Sequence, residues 1–291
     1  MDLTSWRKHI DYVVKDEGQW LGILDENGLP LYELPAYSSV SFPEAHLDAS
    51  SAEVVVPVSA GDTVLDDLVG EGLGVQDAAG RLVPASGPTR LLMLARPGER
   101  RVGTVTHTVA GGVSAPSTLT VHAVDLLNGL SWWPCPSIPV EWGRAQFTDW
   151  DTDASGEKYT SSRRLAQLQF ATNADGYTKR GAAVSVIRDL IQDSFDAVNS
   201  LYGWADNPHA VVEYPTGVDE SPEVFIRVND DPVLDTVAEH ARSAGVGIEV
   251  ILWWPGDDAV RVRTSRDPRA FGFKSWPHPV QIVRVSHVKG E

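Results

Sequence analysis

Leu130–Trp142 reads LSWWPCPSIPVEW, with three prolines and three tryptophans in thirteen residues. Proline fixes φ and has no backbone donor, so this density forbids a helix and disfavours a central strand. The segment is expected to be extended, and its aromatics require an apolar surface to lie on. Trp132, Trp133 and Trp142 are therefore the candidate interface residues. The segment also separates two stretches of different character.

Before it, the chain reads as strands. Trp20–Asp25 and Leu29–Leu34 flank Glu26-Asn27-Gly28, and Asn-Gly supplies the positive φ of a tight hairpin. Ser38–Phe42, Glu53–Val58, Leu91–Ala95, Val102–Val109 and Thr118–Val124 are further strands. Arg96-Pro97-Gly98 and Gly111-Gly112 mark turns between them. In Gly61–Gly74, Val64, Leu65, Leu68 and Val69 have helical spacing, but four glycines limit any helix to a short one. Short strands at this spacing favour a barrel or a sandwich.

After it, Phe147–Ser162 is polar and reads as a loop or hairpin tip, and Arg164–Thr172 as a strand. Two helices follow. Val184, Ile187, Leu190, Ile191, Phe195, Val198 and Leu201 recur at helical period, with Thr178 as the expected cap. The second helix opens at Asp231-Pro232, carries Leu234, Val237, Ala238 and Ala241, and closes at Gly245. Strands are expected at Ala210–Tyr214, Val224–Val228, Gly247–Trp254, Ala259–Thr264 and Val280–Val288, with Pro255-Gly256-Asp257-Asp258 as a hairpin turn. The fold class is α+β and strand-rich. Expected divisions are 1–130, a β domain; 131–180, the Trp/Pro segment and acidic loop; and 181–291, an α+β domain.

Forty acids against 24 bases give a net charge of −16. Such a surface repels phosphate and anionic lipid, so neither nucleic-acid wrapping nor membrane binding is expected. It suits a wall that DNA slides past, or simply solubility. The single cysteine, Cys135, allows no internal disulfide and no cysteine zinc cluster. Met1–Gly18 is charged and lacks the apolar core of a secretory signal, so synthesis in the cytoplasm is expected.

Catalytic patterns are missing. Gly70-Glu71-Gly72-Leu73-Gly74 is glycine-rich but has no Lys-Ser or Lys-Thr after it, so it fails the phosphate-loop template. Asp151-Thr152-Asp153-Ala154-Ser155-Gly156 begins like a calcium loop, but its twelfth position is Ser162 rather than a bidentate acid. The histidines show no zinc-hydrolase spacing, and no Gly-x-Ser-x-Gly elbow occurs. Cys135 lies between two prolines with no helix N-terminus to activate it. No cofactor, metal or catalytic residue is expected. Trp253 and Trp254 would face opposite sides of a strand, which disfavours a flat sugar platform and favours packing.

The order of these pieces resembles the baseplate-hub, or tail-associated (minor tail), proteins of long-tailed siphophages that infect actinobacteria. Three stretches carry the likeness: Trp20–Leu24 running into Ser39–Glu44 and Ala52–Pro57; Val124–Leu130 leading into the Trp/Pro segment; and Gly181–Leu201 followed by Val233–Trp254. The resemblance implies small β-barrel tube-type domains with an α+β insert, and a homotrimer at the tail tip. It implies a distal tail protein, a tape-measure protein and receptor-binding or fibre proteins as partners, with genomic DNA only in transit through the lumen. Some hubs carry a peptidoglycan-degrading or fibre extension; with Glu291 last, such an activity is expected on another protein. Two other readings stand beside it: a distal tail protein forming a hexameric ring, and a cell-wall carbohydrate-binding module or hydrolase.

Overall fold

A computed structural model describes residues 2–34, 36–59, 62–70, 76–81, 87–171, 177–265, 267 and 269–288. The chain divides into two compact units, Met1–Asn128 and Gly129–Glu291. The expected segment 131–180 and domain 181–291 both lie in the second unit.

The first unit opens with a helix that the sequence reading did not anticipate, α1 (Leu3–Glu17). The Asp2 carboxylate accepts from the Ser5 amide at 2.9 Å, and Gly18 closes the helix at φ +84°. Trp6 of α1 meets Trp20 edge-on with ring centroids 6.2 Å apart. Trp20 begins β1 (Trp20–Leu24), in which every residue is buried. Gly22 lets the Trp20 indole fold across the strand, where a Cβ would collide with the ring.

A turn at Asp25–Leu29 leads from β1 to β2 (Pro30–Glu33) as expected, with Gly28 at φ +83°. The Asp25 side chain closes the turn by accepting from the Asn27 and Leu29 amides. The remaining strands are β3 (Ser39–Ser41), β4 (Ser51–Pro57), β5 (Leu91–Arg96), β6 (Glu99–Gly111) and β7 (Thr118–Asp125). All pair antiparallel in the order β2-β1-β5-β6-β7-β4-β3. Across β4 and β7, Ala52, Val54 and Val56 stand opposite Ala123, Val121 and Leu119, so one face of the ladder is apolar and enters the core. The strand-rich α+β class holds. A closed barrel does not appear among the described residues, because the pairing ends at β2 and β3 without joining them.

Within Gly61–Gly74, the described residues 62–70 form the single turn α2 (Thr63–Leu65) and a wider turn, Asp66–Gly70. Of the glycine-rich stretch, residues 71–74 lie outside the described residues.

The second unit is organised around α4 (Ala183–Tyr202), whose Ile187, Leu190, Ile191 and Phe195 are buried. The Trp/Pro segment reaches it through a tight 3-10 turn, Leu126–Ser131, and ends in a one-turn helix, α3 (Pro139–Trp142). The expectation that proline excludes all helix fails there, since Pro139 takes the first helical position and sacrifices no bond. Between these turns the segment is extended, with Val233 donating to the Trp133 carbonyl and Cys135 donating to the Asp231 carbonyl, both at 2.8 Å.

Of the two alternatives for Phe147–Ser162, a loop or a hairpin tip, the hairpin holds: β8 (Phe147–Thr152) pairs with β9 (Lys158–Ala166). Among the described residues, the strand expected over Arg164–Thr172 is limited to the end of β9, and Thr172 lies outside them. Two strands were missed, β10 (Tyr177–Ala182) and β15 (Phe271–Lys274). β10 pairs with β12 (Glu223–Val228), and β15 with β14 (Val260–Arg263). β11 (Ala210–Val212), β16 (Val280–His287) and β13 (Val246–Trp253) make a three-stranded sheet, parallel between β11 and β16. The Pro255–Asp258 turn forms, but it passes the chain from one sheet to another instead of closing a hairpin, because β13 pairs with β16 and β14 with β15.

Both expected helix caps are displaced. Thr178 lies inside β10. The first amides of α4 are capped from far along the chain: Val184 donates to the Ser221 hydroxyl at 3.0 Å, and Ser185 to the Asp219 carboxylate at 2.7 Å. The second helix, α5 (Val233–Ser243), starts with Pro232 at the cap position, so Asp231 stands one residue outside. Gly245 follows with the positive φ expected of it.

Burial raises the Asp219 pKa, but hydrogen bonds from Ser185 and Ser221 outweigh it and hold the carboxyl below its ordinary 3.8. Replacing both Asp219 and Ser221 with Ala is expected to cost about 1–2 kcal/mol, read as a lower denaturant midpoint at unchanged slope. A depressed carboxyl contributes fully above its unfolded pKa and loses that contribution as pH falls through the folded value. The gap between wild-type and variant stabilities should therefore narrow in acid below 3.8, leaving the part that the Ser221 hydroxyl contributes at any pH.

Candidate functional site

Past Phe195, the apolar stripe of α4 continues into Ala197, Val198, Leu201 and Tyr202. Opposite these residues stand Trp132, Trp133, Pro134 and Trp142, and the space between the two walls is a groove of about 290 Å³. Two bonds fix the walls: Ser194 donates to the Pro134 carbonyl, and the Ser200 hydroxyl donates to the Gly143 carbonyl at 2.7 Å.

The structure brings all three candidate tryptophans to this groove and gives them different fates. Trp133 packs edge-on against Phe195, with centroids 4.5 Å apart. Trp142 is buried and donates from its indole to the Gln169 carbonyl at 2.9 Å. Trp132 is 80% exposed. The aromatic surface continues beyond the groove: Phe147 lies 5.3 Å from Tyr202, which stacks on Trp204 at 4.7 Å. Tyr202 and Trp204 each cover one face of the other, so they do not form the coplanar row that would seat successive sugar rings. Trp253 and Trp254 are buried, as packing residues are.

Among the described residues, those lining the groove are apolar or aromatic, with the Tyr202 hydroxyl and the indole N–H groups as their polar side-chain atoms. What this surface can do is exclude water from another apolar surface. Cys135, which follows the lining residue Pro134 in sequence, is buried, and burial pushes its thiol up to about 12. In the Asp151–Gly156 turn, the Asp153 carboxylate accepts from the Ser155 and Glu157 amides and from the Ser155 hydroxyl. The Ser155 hydroxyl leads in holding that carboxyl below its ordinary value. Among the described residues, no three His, Cys, Asp or Glu side chains are placed to hold a metal ion.

One polar cluster escaped the sequence reading. Arg263 of β14 bonds the Asp193 and Asp196 carboxylates of α4 at 2.7 and 2.8 Å, and Lys179 of β10 bonds Asp189 at 2.7 Å. Burial pushes Asp193 above the ordinary carboxylate range, opposed by Arg263. The cluster ties two strand pairs to α4. No local pattern announces it, because its members are 67 and 70 residues apart at Arg263.

No protein-family model and no curated protein matches the chain. Among solved structures, it is similar to a tail protein from Neisseria meningitidis MC58, with 10% identity and a TM-score of 0.35 over 89% of this chain and 68% of that one. A likeness of that size bears on neither fold nor function.

The contrast between adjacent tryptophans is measurable. Trp133→Ala empties a site against Phe195 and is expected to cost about 3 kcal/mol in urea unfolding. Trp132→Ala should stay within about 0.5 kcal/mol of wild type. The Cys135 thiol should resist alkylation in the native chain at neutral pH and react once the chain is unfolded.

Proposed function

We propose that the chain is a structural component of a phage tail, acting without catalysis, and within the tail the baseplate hub at the distal end of the tube. The observation that carries the assembly reading is Trp132, largely exposed on the rim of an apolar groove. A large aromatic at that position loses contact with water only when a partner covers it, and such residues dominate the energetics of protein–protein contacts. The more specific hub reading is supported by the element order that resembles hub proteins: a strand-rich unit, the Trp/Pro segment, then an α+β unit. It carries with it a homotrimer at the tail tip, contacts with distal tail, tape-measure and receptor-binding or fibre proteins, and synthesis in the host cytoplasm. An excess of 40 acids over 24 bases suits a conduit that does not retain DNA.

Native mass measurement of the purified chain is expected to give three copies. Six copies would favour the distal tail protein instead, and a monomer that binds cell-wall glycan would favour the carbohydrate reading. Trp132→Ala should weaken association by roughly tenfold or more, the scale of an interface hot spot, while leaving the chain folded. The assembly should show no measurable affinity for duplex DNA at moderate salt. Tight, salt-sensitive binding would contradict the conduit.

A further inference from the structure

The β8–β9 ribbon of the second unit stands apart from the other sheets. Its strands pair with each other and with no other strand among the described residues. Of its fifteen strand residues, eleven are exposed. A lone two-stranded ribbon is marginal in water, and independent stability takes a third strand or a packed face. Among the described residues neither outer edge pairs with a further strand, and an open strand edge is a template for another strand.

The two edges differ in charge. β8 carries Asp149 and Asp151 and no base, whereas β9 carries Lys158, Arg163 and Arg164 and no acid. Within the ribbon this places Asp149 opposite Arg164. Like charges set directly opposite destabilise a strand pair and opposite charges support it. Two β8 edges, or two β9 edges, would oppose each other. A β9 edge against a β8 edge repeats the acid–base pairing already present inside the ribbon.

One face of the ribbon also wants cover. Trp150 and Leu165 lie on it and are 39% and 40% exposed. The irregular register between Trp150 and Thr152 interrupts β8, so the usable part of its edge is Phe147–Trp150.

We propose that a second copy of this chain completes the ribbon, its β9 pairing antiparallel with the open edge of β8, so that successive copies join head to tail. Antiparallel addition keeps every copy in one orientation. The contact is heterologous, the type that closes into a ring when the rotation permits. This inference rests on the reading that the chain assembles with itself, and it adds which surfaces meet and which way round.

Charge reversal on the full chain tests it by native mass measurement. Asp149→Lys with Asp151→Lys makes both edges basic. Lys158→Glu, Arg163→Glu and Arg164→Glu together make both edges acidic. Each variant alone should lose self-association by tenfold or more, and an equimolar mixture of the two should form mixed assemblies. Mixing leaves the internal repulsion of each ribbon unchanged, so recovery reports contact between chains and not folding of the hairpin. If wild type assembles and both variants assemble equally well alone, the ribbon is not the contact and this proposal falls while self-assembly stands. Failure of the mixture to associate, with each variant folded, overturns it too. A wild type that stays monomeric overturns both readings.

Discussion

In the second unit, helix α4 is the element against which the others are positioned. Its buried side takes the Trp/Pro segment, α5 and strands β10, β11, β12 and β16, and its N-terminal amides are bound by Asp219 and Ser221 from the loop before β12. Salt bridges from Arg263 and Lys179 reach it from β14 and β10. Helix stability in proteins comes mainly from such packing rather than propensity. The same apolar stripe that fills the core runs on to Tyr202, where the core has ended, and there it becomes one wall of the groove.

Much of this was legible because it is local. Asn27-Gly28 announces its hairpin, the 3.6-residue period announces α4, and Gly245 announces the end of α5, each within a few neighbours. What was misread depends on distance in sequence. The α4 cap comes from residues 34 and 37 positions away, so the nearer Thr178 could be identified only by proximity. β10 and β15 are short, and their sequences, YTKRGA and FGFK, hold too few apolar residues to announce a strand. In α1, the cap Asp2, the closing Gly18 and the spacing of Ile10 and Val13 were all readable, but the charged residues between them hid the pattern.

The candidate site follows the same division. Tryptophan and proline density marks Leu130–Trp142 as a segment needing apolar cover. Which tryptophan finds that cover within its own unit is set by Phe195, which meets Trp133 and leaves Trp132 in water. Adjacent residues of one type therefore act differently, one as packing and one as surface. Likewise Phe147–Ser162 reads as polar in sequence because it is polar, and only its pairing reveals a ribbon with an acidic and a basic strand. Both exposed features offer contact chemistry, the groove through its apolar walls and the ribbon through two oppositely charged strands.

The claim that the groove is a contact surface is tested most directly at Trp132 itself. Hydroxyl-radical footprinting, read by mass spectrometry, compares its oxidation in the dissociated chain and in the assembled particle. Trp132 is expected to oxidise rapidly in the free chain and to be strongly protected after assembly, with the buried Trp254 slow in both. Equal oxidation of Trp132 in the two states would contradict it.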